Sequence, residues 1–107
     1  MGYVLGRNGV YPFAGGVSDV GGPVFSSQIT LNPKEEIQIS NLRSIVEALT
    51  ITASASNSDN IWVGQTGAEN YPLTPGMSVT LRKVLLSTVF LVNRNATSSA
   101  LIYVIWS

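Results

Sequence analysis

The chain has 107 residues with no cysteine and no histidine, and its six basic residues balance six acidic residues. This length predicts one domain, and the missing residue types exclude disulfides, thiolate metal sites and the commonest general base of enzymes. Only 11% of the residues are charged, against about 25% in an average globular protein, so we expect other subunits to cover part of the surface.

The composition also argues against nucleic acid and membrane partners. Basic residues cluster only at Arg82 and Lys83, which provides no electrostatic footprint for a phosphate backbone. The longest apolar run, residues 101–106, is far shorter than the roughly 20 residues that cross a bilayer, and no signal peptide is expected at the N-terminus. The absence of cysteine favours synthesis in the cytoplasm.

The first 23 residues differ in composition from the rest of the chain. They hold seven of the ten glycines, two of the five prolines and the aromatic residues Tyr3, Tyr11 and Phe13. This stretch has too little periodic apolar content for a helix or strand, yet it is too apolar for a solvated linker. We therefore predict an extended N-terminal arm over residues 1–23, whose three aromatic side chains bind a partner, and a β domain over residues 24–107.

From residue 24 onward, short runs alternate apolar and polar residues, which is typical of β-strands with one buried face. We predict seven strands, over residues 25–31, 36–40, 45–55, 61–64, 78–82, 88–93 and 100–106. One side of the third strand is expected to carry Ile45, Leu49, Ile51, Ala53 and Ala55. A helix over residues 44–49 is the alternative there, although the β-branched residues that follow favour a strand.

The connections between these strands complete the fold prediction. Residues 65–75 are predicted to be an irregular connection that ends in a type II turn, with Pro75 and Gly76 at its two central positions. Residues 93–99 form a polar turn that is expected to join the last two strands into a hairpin. Turn signals at intervals of about ten residues predict an all-β fold, either an antiparallel β-sandwich or a jelly-roll-like barrel.

The last two predicted strands are apolar on both faces, whereas a sandwich strand needs only one apolar face. Either Leu101, Tyr103 and Ile105 or the alternate set, Ile102, Val104 and Trp106, can face the core. We expect another subunit to cover the outer face, and the alternative is a cover supplied by the chain's own arm. The predicted oligomer interface consists of Phe90, Val92, Ile102, Val104 and Trp106.

The sequence offers little catalytic chemistry. A glycosidase needs two carboxylates that face each other across a cleft. A pairing of Glu47 with Asp59 or Glu69 is conceivable, but solvated surface acids are the expected state of all six: Asp19, Glu35, Glu36, Glu47, Asp59 and Glu69. Residues 64–67 lack the ending of a phosphate-binding loop, and residues 56–60 lack the spacing of a calcium loop. We therefore predict no enzyme, no cofactor and no metal site.

Aromatic residues provide the one candidate for a ligand site. Trp62 and Tyr71 could stack on a sugar if the loops at residues 56–60 and 65–71 lie together. Aromatic residues in β domains more often anchor cores and interfaces. Trp62 and Tyr71 therefore form a possible ligand loop, which would serve a carbohydrate- or receptor-binding function.

Two segments carry a resemblance to known proteins. Ile61-Trp62-Val63-Gly64, followed by Tyr71-Pro72-Leu73-Thr74-Pro75-Gly76-Met77-Ser78-Val79-Thr80-Leu81, is similar to a pattern in small β-sandwich proteins encoded among bacteriophage structural genes. Val89-Phe90-Leu91-Val92 and the closing apolar strand stand where that pattern continues. The match covers residues 49–106, so it does not extend to the arm.

The resemblance implies a non-enzymatic virion component, made in the host cytoplasm, with no catalytic residues to transfer. We expect a capsid decoration (cement) protein that binds the capsid surface and forms a homo-oligomer, with a trimer favoured. Its further partners would be other virion proteins such as the major capsid protein. The alternative is a carbohydrate- or receptor-binding module of a phage spike or tail.

Overall fold

A computed structural model describes residues 24–107, so the predicted arm with Tyr3, Tyr11 and Phe13 lies outside the described residues. The described chain is built from strands, with one short 3-10 helix at Leu86–Thr88. The strands are β1 (Phe25–Leu31), β2 (Glu36–Gln38), β3 (Ile45–Ala53), β4 (Ile61–Gln65), β5 (Ala68–Leu73), β6 (Ser78–Leu85), β7 (Phe90–Asn93) and β8 (Ala100–Trp106). The prediction of an all-β fold is confirmed.

The eight strands form two four-stranded antiparallel sheets. The first sheet has the order β1-β8-β3-β6 and the second sheet has the order β2-β7-β4-β5. The first strand pairs with the last, the second with the seventh, the third with the sixth and the fourth with the fifth. This pairing is that of an antiparallel ribbon rolled on itself, which is the jelly roll, so the predicted sandwich is confirmed.

The core lies between the inner faces of the two sheets. Fully buried side chains come from both, among them Leu49 and Ile51 of β3 and Ile61 of β4. On β8 the structure decides the question that the sequence left open, because Ile102 and Val104 are buried. Burial of one such aliphatic side chain stabilises the fold by about 1.5–3 kcal/mol.

Two connections differ from the sequence prediction. Residues 68–73 form β5 instead of an irregular loop, and β5 tolerates Pro72 because an edge strand can leave one N–H side unpaired. The predicted hairpin between β7 and β8 is wrong, since the two strands belong to different sheets. The crossing segment is held by Asn93, whose buried amide donates to the carbonyl oxygens of Leu31, Asn32 and Ser98.

The start of β3 corrects a further prediction. Ile45 is 70% exposed while Val46 is buried, so the inward alternation breaks between Val46 and Leu49. Beside this break, Lys83 of β6 has a φ of 49°, a left-handed conformation that interrupts the regular pleat. Ala55 lies beyond the end of the strand, and the alternative of a helix over residues 44–49 is wrong.

The turn before β6 follows the prediction. The Met77 N–H donates to the Thr74 carbonyl oxygen at 2.9 Å, and Gly76 has a φ of 84°. Positive φ at the third residue is the mark of a type II turn, which explains why glycine stands there. Among residues 24–107, no helix is long and apolar enough to span a membrane.

Candidate functional site

The outer face of the first sheet carries side chains from all four of its strands. Two rows of side chains cross all four strands, in the order β1, β8, β3, β6. The rows are Ser26-Ile105-Thr50-Thr80 and Gln28-Tyr103-Thr52-Ser78. We call these eight side chains the first-sheet face. None of the eight carries a charge, and the exposed Arg82 of β6 lies on the same side of the sheet one row beyond them, opposite Ala48.

Two large apolar side chains stand in the middle of the first-sheet face. Tyr103 is 43% exposed and Ile105 is 46% exposed, and both come from the central strand β8. A shallow open groove runs beside them, lined in part by Ser26, Gln28 and Thr52. Exposed apolar side chains framed by polar ones are typical of surfaces that bind another molecule.

The hydroxyl groups on one side of this groove bind each other. Thr50 Oγ1 lies 2.9 Å from Thr80 Oγ1, and Thr52 Oγ1 lies 2.7 Å from Ser78 Oγ. These cross-strand hydrogen bonds satisfy part of the polar groups' bonding capacity within the sheet. Covering this strip therefore removes less hydration than covering the same hydroxyls unpaired, and it buries no ion.

A second cluster lies on the second sheet, where the β4–β5 hairpin contains a bulge. The pairing register shifts between Val63 and Gly64, so Gly64 stands opposite Glu69. A Cβ atom on Gly64 would collide with the Ala68 carbonyl oxygen and would lie 2.8 Å from the Glu69 Cα atom. Only glycine fits at this position of the bulge, because the backbone of β5 passes very close to β4 there.

Polar contacts fasten the tip of this hairpin. A carboxylate oxygen of Glu36 in β2 accepts hydrogen bonds from Thr66 Oγ1 and from the Gly67 N–H, both at 3.2 Å. Arg94 donates to the Glu69 carbonyl oxygen at 2.7 Å, and its guanidinium carbon lies 4.5 Å from the centroid of the Trp62 ring. These contacts link the hairpin to β2 and to the end of β7.

The same arrangement buries the Glu69 carboxyl. The residue is 4% exposed, and its Oε2 atom has no hydrogen-bond partner among residues 24–107. Burial, and next the adjacent Glu36 carboxyl, raise the pKa of Glu69. Hydrogen bonds from the Glu69 carboxyl, the Gly67 N–H and the Thr66 hydroxyl lower the pKa of Glu36. The prediction that every acid is a solvated surface group is therefore wrong for Glu69.

The chemistry of this pair follows from its geometry. Glu69 is buried beside Glu36, whereas the two carboxyls of a retaining glycosidase face each other about 5 Å apart across the bond that they cleave. The raised pKa of Glu69 and the lowered pKa of Glu36 favour an arrangement in which the Glu69 carboxyl donates to the Glu36 carboxylate, and a hydrogen bond to an ionised acceptor is charge-assisted. The pair thus joins β2 to the β4–β5 hairpin.

The five residues predicted as an oligomer interface do not form one surface. Ile102 and Val104 are buried in the chain's own core, so they are not available to another subunit, and this part of the prediction needs correction. Trp106 packs against the core and stacks on Phe25, with ring centroids 5.8 Å apart. The half-buried Phe90 and Val92 alternate with buried residues of β7, so they belong to the outer face of the second sheet.

The predicted ligand loop also does not form as a unit. Trp62 pairs with Pro72 and Val63 pairs with Tyr71, so Trp62 and Tyr71 point to opposite faces of the hairpin. The loops at residues 56–60 and 65–71 adjoin opposite ends of β4, a separation of roughly 16 Å for five strand residues. They do not enclose a common site.

The residues of the first-sheet face were partly visible in the sequence. The alternation of β8 predicts that Tyr103 and Ile105 belong to one of its two faces, either of which could point outward. The sequence does not indicate which hydroxyl-bearing residues lie beside them, because that depends on the strand order. Residues 24–107 contain no cluster of three or more potential metal ligands. No protein-family model matches the chain, and no curated protein matches it.

Proposed function

We propose that the chain is a non-enzymatic virion structural protein of the capsid decoration (cement) type, which binds the capsid surface and self-associates. The observation that carries the proposal is the first-sheet face, where Tyr103 and Ile105 stand exposed among uncharged side chains. The jelly roll is an architecture that viral capsid proteins share with lectins and cupins. The sequence resemblance to bacteriophage structural proteins supports the first of these classes.

Binding by this face has a simple driving force. Each Å² of apolar surface removed from water favours association by about 25 cal/mol, before the loss of translational and rotational freedom is subtracted. A chain with only 11% charged residues has little electrostatic repulsion to keep its copies apart. Assembly into a larger particle therefore agrees with both its surface and its composition.

The expected partners are further copies of the chain and other virion proteins such as the major capsid protein. We favour a trimer, which requires that a contact between two different surfaces of the same chain closes into a ring of three copies. The protein would be made in the host cytoplasm and end in the virion. Mass spectrometry of purified particles tests this, with the chain expected as a stoichiometric component; its absence from particles, while it is present in infected-cell lysate, would overturn the proposal.

A carbohydrate- or receptor-binding module is the second candidate. Among residues 24–107, the surface that suits a sugar is the groove beside Tyr103, where an aromatic ring adjoins the Gln28 amide and the Thr52 hydroxyl. An aromatic platform with nearby hydrogen-bonding groups suits a sugar ring. Glycan-array binding that disappears in Tyr103→Ala but persists in Tyr71→Ala would favour this function, and an array without binding would count against it.

A further inference from the structure

We propose that the first-sheet face of each copy is covered by residues 1–23 of a neighbouring copy. This inference rests on the proposed self-association and names the segment that carries it out. It commits to the neighbour's segment as the occupant of the groove beside Tyr103 and Ile105. In the competing arrangement, the chain's own residues 1–23 cover the face, and the experiment below distinguishes the two arrangements.

Residues 1–23 join the β domain beside the groove, at the start of β1. Residue 23 precedes Val24, which leads directly into β1, and Ser26 of β1 lines the groove. Each segment therefore leaves its domain at the rim of the first-sheet face. Twenty-three residues span at most about 80 Å when extended, whereas the longest dimension of the part formed by residues 24–107 is 48 Å. The segment is long enough to reach the face of an adjacent copy.

The composition of residues 1–23 is chemically complementary to the first-sheet face. Residues 1–23 contain only two charged residues, Arg7 and Asp19, while Tyr3, Tyr11 and Phe13 supply large apolar groups. The eight side chains of the first-sheet face are uncharged as well, so contact between them and the three aromatic groups of the segment buries no ion. The seven glycines of the segment allow its backbone to approach a flat sheet closely.

The small area of the first sheet favours exchanged segments over a face-to-face dimer. Four strands at about 4.8 Å spacing and about seven residues in length give roughly 440 Å² for the whole outer face of the first sheet, of which the eight side chains of the first-sheet face are a part. A standard protein interface buries about 800 Å² per partner, so a face-to-face dimer through this surface alone is small. In a ring of exchanged segments every copy both donates its segment and receives another, which gives each copy two contacts.

The experiment uses the full chain with a photo-reactive side chain at the rim of the groove, Gln28→p-benzoylphenylalanine. Chains of natural isotope content and ¹⁵N-labelled chains are unfolded together, refolded as an equal mixture and irradiated. We expect cross-linked peptides that join position 28 to residues 1–23, including pairs with one light and one heavy member. Same-isotope pairs alone would mean that the chain's own segment covers the face, and this result would overturn the proposal.

Two further substitutions, one on the face and one control, test whether the cross-links arise from specific binding or from chance encounters. Ile105→Glu places a charge in the middle of the first-sheet face, whereas Leu42→Glu places one at an exposed loop position away from it. The mixed-isotope cross-links should fall at least tenfold with Ile105→Glu and stay unchanged with Leu42→Glu. Equal yields from both variants, or cross-links to sites outside residues 1–23, would contradict the proposal. Particle content is measured independently, so this inference and the virion assignment can fail separately.

Discussion

Glu69 stands opposite Gly64 across a bulged hairpin, and this pairing buries a carboxyl group beside a second one, that of Glu36. The bulge is possible only because Gly64 has no side chain. One glycine thus allows the close backbone approach that buries an acid five residues further along the chain and raises its pKa. Two predictions test this relationship directly.

The first prediction concerns pH. Because the pKa of Glu69 is raised in the folded protein, its protonated form contributes stability that is complete below the unfolded-state value of about 4.3 and is lost as pH rises through the folded value. The pKa of Glu36 is lowered, so its contribution runs the opposite way and is lost as pH falls through its folded value. Substitution of Glu69 isolates the first of these effects.

We therefore expect Glu69→Gln to raise the free energy of unfolding at pH 7 by about 1 kcal/mol, since a buried group no longer has to stay protonated or carry a charge. The gain should shrink as pH falls to about 4.3. Urea unfolding at both pH values measures it, with the exposed Glu47→Gln as the control. A gain of equal size at both pH values would contradict the buried acid pair.

The second prediction concerns Gly64. A methyl group there meets the Ala68 carbonyl and the Glu69 backbone, so Gly64→Ala should lower the free energy of unfolding by about 1–3 kcal/mol. Gly67, at the hairpin tip, has a φ of 74° and open space around it. Gly67→Asn is the matched control, because asparagine tolerates this conformation. Similar losses from both substitutions would show that backbone conformation, not the close approach, limits the hairpin.

The third prediction separates the two faces of β8. Ile102→Ala removes a fully buried side chain and should lower the free energy of unfolding by about 2–5 kcal/mol. Ile105→Ala removes an outward side chain and should change it by less than about 0.5 kcal/mol in dilute solution, where copies are dissociated. Thermal and urea unfolding at low protein concentration measure both. Comparable losses would mean that β8 presents its faces differently.

The comparison of these strands explains what the sequence could predict. The bounds of β1 and β8 were predicted as the structure has them, because both segments contain residues with high β-strand propensity and are flanked by turn-forming residues. The choice between Ile102 and Ile105 could not be made, since both faces of β8 are apolar and the choice depends on which strands pair with it. The strand β5 was missed because Pro72 looks like a strand breaker until its edge position is known.

The candidate sites depended still more on tertiary structure. The first-sheet face joins residues from four strands whose order follows only from the jelly-roll pairing, so Gln28 and Thr52 could not be associated with Tyr103 beforehand. The Glu36–Glu69 pair depends on a bulge, and a single shifted register is not encoded by apolar alternation. The prediction that Ile102 and Val104 belong to an oligomer interface failed because both faces of β8 are apolar, so the sequence does not show which face is buried.

The central claim is that the first-sheet face mediates self-association, and the most direct test is the solution mass of the full chain by size-exclusion chromatography with light scattering. We expect an oligomer, with a trimer favoured, that dissociates at least tenfold more readily in Ile105→Glu, because an ion would have to be buried. Leu42→Glu should keep the wild-type mass. A monomeric wild-type chain, or an oligomer that Ile105→Glu leaves intact, would contradict the account.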